Sequence, residues 1–337
     1  MLPHPISDIP HPMPTAGGPA LLLSASDIER LLDHRELLEQ LRGAMRAYAT
    51  SRMAAQRAHS PIPSAAPHSV MIVFPGLVPG IPAYTVKINA KLPTSTPSVR
   101  GMVALVGLDT GQLLAVMDSI KITEVRTALV GALAAQALAR SKIDTVAVIG
   151  AGVQGRAQLR ALRLVRDFRA VRVYDAKPER ARALVEQMRA EIPAEFSVAG
   201  NVADAVAKAD VVITATWATS PIVSRRMIAP GTHITAIGAD EPGKAELDAD
   251  LIRRSRFVCD DPDLAVEMGA LAGVGLGRDA IHASLGDVLA GTASGRSSDD
   301  DITIFGSVGL PCQDLPAAWM AYQKAKSGGY PSFDFHR

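Results

Sequence analysis

Several common classes of protein are closed to this chain by what it lacks. Two cysteines among 337 residues, Cys259 and Cys312, are too few for a disulfide framework or a thiolate zinc site. Neither sign of charge is in excess: 35 basic side chains stand against 34 acidic ones. No electrostatic field therefore draws the chain toward nucleic acid or an anionic membrane. No apolar run reaches the roughly 18–20 residues of a membrane span. The eight histidines show no H-x-x-H or H-E-x-x-H metal spacing, and no G-x-S-x-G supports a hydrolase. The first residues are crowded with proline (Pro3, Pro5, Pro10, Pro12, Pro14, Pro19) and have no basic stretch. Residues 1–20 thus read as a loose tail and not as a secretory signal. The expectation is a soluble, cytoplasmic protein of two domains.

Patterned sequence begins near Leu21. Ser26 before Glu29 and Asp33 before Glu36 have capping-box spacing. The second opens an amphipathic helix with Leu37, Leu38, Leu41, Met45 and Tyr48 on one face. After a segment broken by Pro61, Pro63 and Pro67, residues 70–74, 83–89 and 102–108 read as an antiparallel meander. Asp109-Thr110-Gly111 supplies a hairpin turn into a returning strand at 112–116. An alanine-rich helix follows from about 122 to 138. Strand-length apolar runs then alternate with helices. The strands are 145–149, 170–174, 196–198, 211–216, 233–237, 257–259 and 302–305; the helices include 154–168, 178–192 and 202–209. Strands apolar on both faces in a βαβ order predict a parallel sheet with helices on each side. The polar stretch 291–301 reads as a surface loop.

The strongest chemical signal is Gly150-Ala151-Gly152-Val153-Gln154-Gly155, a G-x-G-x-x-G between a strand and a helix. Gly150 makes the tight turn, Gly152 lets a pyrophosphate approach the backbone, and Gly155 allows close helix–strand packing. Asp175 ends the next strand, where an acid accepts hydrogen bonds from both ribose hydroxyls and repels a 2′-phosphate. NAD(H) is favoured on this ground, with NADP(H) tolerable because Lys177 and Arg180 lie close by. The loop Gly238-Ala239-Asp240-Glu241-Pro242-Gly243-Lys244 follows a strand, on the ligand side of the sheet. It makes Asp240 a candidate general acid/base. Lys87 and Arg126 are two isolated cations able to capture a substrate carboxylate. The bland alternatives are a solvated turn for Asp240, an outward strand lysine for Lys87, and ion pairing of Arg126 with Glu124 or Glu29. His233 reads as a core residue at a strand end.

The order of these motifs resembles the ornithine cyclodeaminase/mu-crystallin family of NAD(P)-dependent proteins. The resemblance runs from about Leu21 to the end. It rests on the Lys87 strand leading to Pro93, Glu124-Val125-Arg126-Thr127-Ala128, Gly150 to Gly155, Gly238 to Leu247, and Phe305-Gly306-Ser307-Val308-Gly309 with Asp314. It implies an α/β fold with a Rossmann-type doubly wound parallel sheet over 122–314. An α+β substrate-binding and dimerisation domain would comprise 21–121 plus 315–337, giving a homodimer. Carried over by motif, Asp240 and Lys87 look catalytic, and Lys87 and Arg126 clamp the carboxylate. Arg126, Gln154, Gly155, Asp175, Thr216, Ile237, Gly238, Ala239, Lys244, Ser307 and Val308 match cofactor contacts.

Two departures stand out. Where the family carries a Pro-x-Arg arginine, this chain reads Ser60-Pro61-Ile62-Pro63; Arg57 and His68 are the nearby groups able to compensate. Where true cyclodeaminases carry an acid before a Met-Pro step, it has apolar Ile72. An apolar residue does not hold the second cationic nitrogen of ornithine. The implied activity is NAD(P)H-dependent reduction of a cyclic 2-imino acid, such as Δ1-pyrroline-2-carboxylate, to the L-amino acid. The alternatives are ornithine cyclodeamination, an alanine-dehydrogenase-like reaction, and a crystallin-like non-catalytic ligand binder. A small imino or amino acid is the expected partner.

Overall fold

A computed structural model describes residues 18–51, 57–62 and 69–335. Most of the proline-rich tail, with His4 and His11, lies outside the described residues, as do Pro63, Pro67 and His68. In chain order the first elements are β1 (Ala20–Leu23), α1 (Ala25–Leu31), α2 (His34–Ser51), β2 (Ala58–Pro61), β3 (Val70–Gly76), β4 (Ala83–Lys91), β5 (Val99–Gly107), β6 (Leu113–Asp118) and α3 (Ser119–Leu138). Then come β7 (Thr145–Ile149), α4 (Val153–Val165), β8 (Ala170–Tyr174), α5 (Pro178–Arg189), β9 (Glu195–Val198), α6 (Val202–Val206), β10 (Val211–Thr214), β11 (Thr219–Val223), β12 (His233–Ala236) and β13 (Ala245–Leu247). The last are α7 (Ala249–Arg253), β14 (Arg256–Cys259), α8 (Pro262–Met268), β15 (Ala283–Ser284), α9 (Leu285–Ala290), β16 (Thr303–Gly306), α10 (Asp314–Ala325) and β17 (Ser332–Phe333). No helix among them is long and apolar enough to cross a membrane.

Two units divide the chain. One joins the residues up to Arg126 with those from Leu310 onward; the other is Thr127–Gly309. The division falls inside α3, so Arg126 and the segment 310–314 cluster with the first unit. The cause is local: Arg126 is bonded to Gln313 and Asp314.

The first unit is built on a seven-stranded sheet, in the order β17-β1-β6-β5-β4-β3-β2. Its pairs are antiparallel except β1 with β6. Alternation decides which side is buried. Ile72, Phe74, Ala83, Thr85, Lys87, Val103, Leu105, Ala115 and Met117 point inward and are buried, and α10 packs across β4, β5 and β6. The cap of α1 is Ser24 with Asp27, which exchange both capping-box bonds, and not Ser26 with Glu29. The four-residue strand β1 brings the helix start two residues earlier than the serine spacing suggests. Asp33 does cap α2, accepting from the amides of Arg35 and Glu36.

The second unit carries an eight-stranded sheet, β15-β14-β16-β12-β10-β7-β8-β9, in which every pair is parallel. Successive residues of a strand serve opposite faces. Val146 and Val148 join one core cluster with Val171, Val173 and Ile213, while Ala147 and Ile149 join the other with Val212, Ile234 and Phe257. Helices cover both faces, which is the doubly wound arrangement. A small parallel pair, β11 with β13, stands apart from the main sheet; its strands are too short and irregular for a periodic signal.

His233, in β12, is a core residue. It is fully buried, with ring nitrogens 3.0 Å from Thr303 Oγ1 and 3.1 Å from Thr235 Oγ1. Burial, aided by Arg296 and Arg166, pushes its pKa down to about 3. The unfolded chain takes up this proton below about pH 6.5 and the folded chain does not. The stability from this group is therefore complete above about pH 6.5 and is lost as pH falls toward 3. The slope reaches up to about 1.4 kcal/mol per pH unit. Urea unfolding across this range should show that slope, and His233→Asn should flatten it.

Candidate active site

In the first unit the sheet register gathers cations around one carboxylate. Lys87 lies opposite Phe74 on the neighbouring strand. The pairing of Ala58 with Val73 brings Arg57, just ahead of β2, to the same ring. Lys87 Nζ and Arg57 Cζ each lie 4.9 Å from the Phe74 centroid, within cation–π range. Lys87 is 1% exposed, so it is not an outward strand lysine. Its Nζ donates to both oxygens of Asp314, at 3.0 and 2.9 Å.

Arg126 Nε donates to Asp314 Oδ1 at 3.1 Å, and Arg126 Nη1 donates to Gln313 Oε1. Glu29 and Glu124 are engaged by Lys121 instead, so the local pairing read for Arg126 gives way to a long-range one. Burial depresses the Lys87 pKa to about 7; Asp314 opposes the shift, while Arg126 and Arg57 add to it. Of the two groups named as able to stand in for the family arginine, Arg57 lies at this ring, and His68 lies outside the described residues. Arg57 precedes an edge strand whose Pro61 hides the strand pattern. Asp314 and Gln313, which complete the cluster, carry no local signal of their burial.

In the second unit the glycine turn has the geometry its spacing predicts. Gly150 has φ +101°. A Cβ on Gly155 would lie 2.1 Å from the Gly150 carbonyl oxygen, so only glycine lets α4 approach the turn. A Cβ on Gly152 would meet nothing within 4 Å. This glycine caps α4 with no side-chain bond, Val153 beside it is exposed, and Gln154 is half-buried on the first turn. Asp175 anchors the turn, accepting from the Ala151 amide at 2.8 Å and the Lys177 amide at 2.9 Å. An open glycine-lined helix start with an acid at the next strand end fits a dinucleotide's pyrophosphate and ribose. The side chains of Lys177 and Arg180 are exposed.

Buried carboxylates fix the other strand-end loops. Glu246 is 1% exposed. It accepts from Thr214 Oγ1, Thr216 N and Thr216 Oγ1, each at 2.8 Å, and from Gly238 N at 2.9 Å. One side chain therefore ties the loop after β10 to the loop after β12. Burial raises its pKa against these four bonds. A Cβ on Gly238 would strike Glu246 Oε1 at 2.3 Å, which explains that glycine. Ile237 and Ala239 flank it as buried residues.

Asp240 receives Lys244 Nζ at 2.8 Å, and that ammonium lies 4.0 Å from the Trp217 ring centroid. Burial opposes the charge on Lys244, but Asp240, Glu241 and Glu246 outweigh it and raise its pKa. Asp260 accepts from Ser307 Oγ and from the amides of Val308 and Gly309, holding the loop after β16. The sequence places Glu246 within the Gly238–Leu247 motif but gives it no role, and Asp260 is one more acid beside a strand.

A parallel sheet in this order, with a glycine turn and a strand-end acid, defines a Rossmann-type protein. The model of the ornithine cyclodeaminase/mu-crystallin family matches residues 19–329, and the chain belongs to that family. It is 38% identical to the alanine dehydrogenase of Archaeoglobus fulgidus over 236 residues, 68% of this chain and 72% of that one. Among solved structures, an archaeal alanine dehydrogenase dimer with bound NAD superposes with a TM-score of 0.88 at 31% identity, covering 94% of this chain and 99% of the other. The Δ1-pyrroline-2-carboxylate reductase of Thermococcus litoralis, in complex with NADH and L-proline, gives 0.87 at 31%, covering 92% and 98%. By this membership the chain is an NAD(P)-dependent oxidoreductase.

Proposed function

We propose that the chain reduces a cyclic 2-imino acid, of the Δ1-pyrroline-2-carboxylate type, to the L-amino acid, with NADH as the favoured cofactor. One observation carries the reading: two buried cations, Lys87 and Arg126, converge on a single carboxylate, Asp314, and Arg57 adds its charge at Lys87. Two cations buried on one carboxylate are costly alone and suit a substrate that brings a second carboxylate. Ile72 is fully buried and forms an apolar cluster with Val70 and Phe74. That surface suits ring methylenes and offers nothing to a second ammonium, which favours a ring imine over ornithine. The relative bound to NADH and L-proline supports the same choice, proline being the amino acid that reduction of this imine yields.

Gly150, Gly152, Gln154, Gly155 and Asp175 would hold the dinucleotide, with Thr216, Ile237, Gly238, Ala239, Lys244, Ser307 and Val308 completing its surroundings. When bound, the dinucleotide supplies a hydride. Arg126 and Arg57 hold the carboxylate with forked donors. Lys87, with a pKa of about 7, holds a proton at Nζ and releases it readily at neutral pH. The Asp240 carboxylate stabilises positive charge on the imine nitrogen. In the oxidative direction the proton returns to the Lys87 amine, and Asp240 keeps its place beside the positive nitrogen.

Purified protein with NADH or NADPH tests this, given pyrroline-2-carboxylate, piperideine-2-carboxylate, or pyruvate with ammonia, and separately ornithine with NAD. Oxidation of NADH with the cyclic imines alone is expected. Proline and ammonia from ornithine would establish cyclodeamination instead. Faster turnover of pyruvate with ammonia would move the enzyme to the alanine dehydrogenases, and tight binding without turnover would leave a ligand binder.

A second copy of the chain is the proposed partner. The outer face of the first sheet lines up Leu22, Val116, Ala104, Val86 and Pro75 across five strands, beside Met102, Ile88 and Val73. Leu22, Met71, Ile88 and Met102 are exposed there. A contiguous apolar patch of this kind marks a protein interface. Sedimentation should give twice the monomer mass for the native chain, and Ile88→Glu should shift the mass toward the monomer.

A further inference from the structure

Asp314 plays no direct part in the chemistry proposed above, yet it is the only carboxylate bonded to Lys87 and Arg126 among the described residues. We propose that Asp314 is a positioning residue that aims the Lys87 amine and holds it in its protonated form. This rests on the reading of Lys87 as a participant in the reduction.

The geometry gives Asp314 that leverage. It is the first residue of α10 and is 1% exposed, as is Lys87. Both carboxylate oxygens lie within 3.0 Å of Nζ, so the amine is held on two bonds. A single hydrogen bond would let the long lysine stem rotate. The charges acting on Nζ come from three sides: Asp314 on α10, Arg126 on α3 and Arg57 ahead of β2. Two are cations and one is an anion, and burial also disfavours the ammonium. Asp314 is thus the one charge among these that keeps the proton on. Its value as a structural ion pair is small, because desolvating three charges offsets most of the attraction. A carboxylate held in such a place is better explained by what it does to the amine.

The test reads the amine directly. With 13Cε-labelled lysine, the Lys87 signal is identified by its loss in Lys87→Met and titrated by NMR. In the native protein it should titrate near pH 7. In Asp314→Asn the midpoint should fall by about 1 unit or more, the usual effect of removing an adjacent opposite charge. Asp314→Glu should largely restore it. Arg126→Met, which removes a cation and keeps Asp314, should move the midpoint upward, and it serves if the asparagine variant does not fold. An unchanged midpoint in Asp314→Asn, or a fall in Arg126→Met, would overturn the proposal.

The alkaline limb of the pH–rate profile gives a second readout. It should shift with the NMR midpoint, so that Asp314→Asn loses far more activity at pH 8 than at pH 6. If the NMR midpoint moves and the rate profile does not, Asp314 still governs Lys87. It is then the part given to Lys87 in the reduction that fails.

Discussion

Asp240→Asn is expected to lower turnover by roughly 10²–10⁴-fold, the range for loss of a group that handles charge or a proton in the transition state. The folded protein should hardly notice the change. The Asp240 side chain is about a quarter exposed and accepts from Lys244 Nζ, a bond that an asparagine oxygen can still accept. Partly exposed positions of this kind usually shift stability by no more than about 0.5 kcal/mol. Steady-state kinetics at saturating NADH, beside a thermal melt, separates the two effects. A large fall in kcat with an unchanged melting temperature is the expected result. A near-normal rate would make Asp240 only the counter-ion of Lys244.

The largest effect on stability is expected at Glu246. Truncation to alanine strips the Thr216 and Gly238 amides of their acceptor inside the protein and leaves a void where a whole side chain stood. Each stranded amide costs about 1–3 kcal/mol, so a loss of roughly 3–5 kcal/mol is expected by urea unfolding. Cofactor affinity should fall as well, because the loops after β10 and β12 are no longer tied together. Glu246→Gln preserves the volume and one acceptor oxygen, and should lie between the two in both measurements. Unchanged NADH binding in a folded alanine variant would show that the tie has no bearing on the cofactor.

The second unit was largely legible in the sequence, for a physical reason. Strands buried on both faces are written as short unbroken apolar runs, and residues 145–149 and 170–174 have those bounds in the structure. Gly150 and Gly155 announce themselves because no other side chain fits. The strand run at 211–216 was read too long: β10 ends at Thr214, where Glu246 draws the Thr216 amide out of the ladder. In the first unit the meander showed, but its chemistry did not. Alternation tells which strand residues share a face and not which face is buried, so Lys87 resembled any solvent-facing lysine. Its partner Asp314 stands 227 residues away, beyond any local pattern. Arg57 is legible only as a nearby cation, because Pro61 hides the edge strand that fixes its place.

That separation also bears on how the protein comes into being. Six of the seven strands of the sheet holding Lys87 are synthesised early, whereas α10, which packs on it and carries Asp314, is almost the last element made. At about 5–20 residues per second, the ribosome needs roughly 10–45 s to travel from one to the other. For that time the nascent sheet has neither its covering helix nor the counter-charge for its lysine. A chain cut short before Asp314 would stay in that state for good.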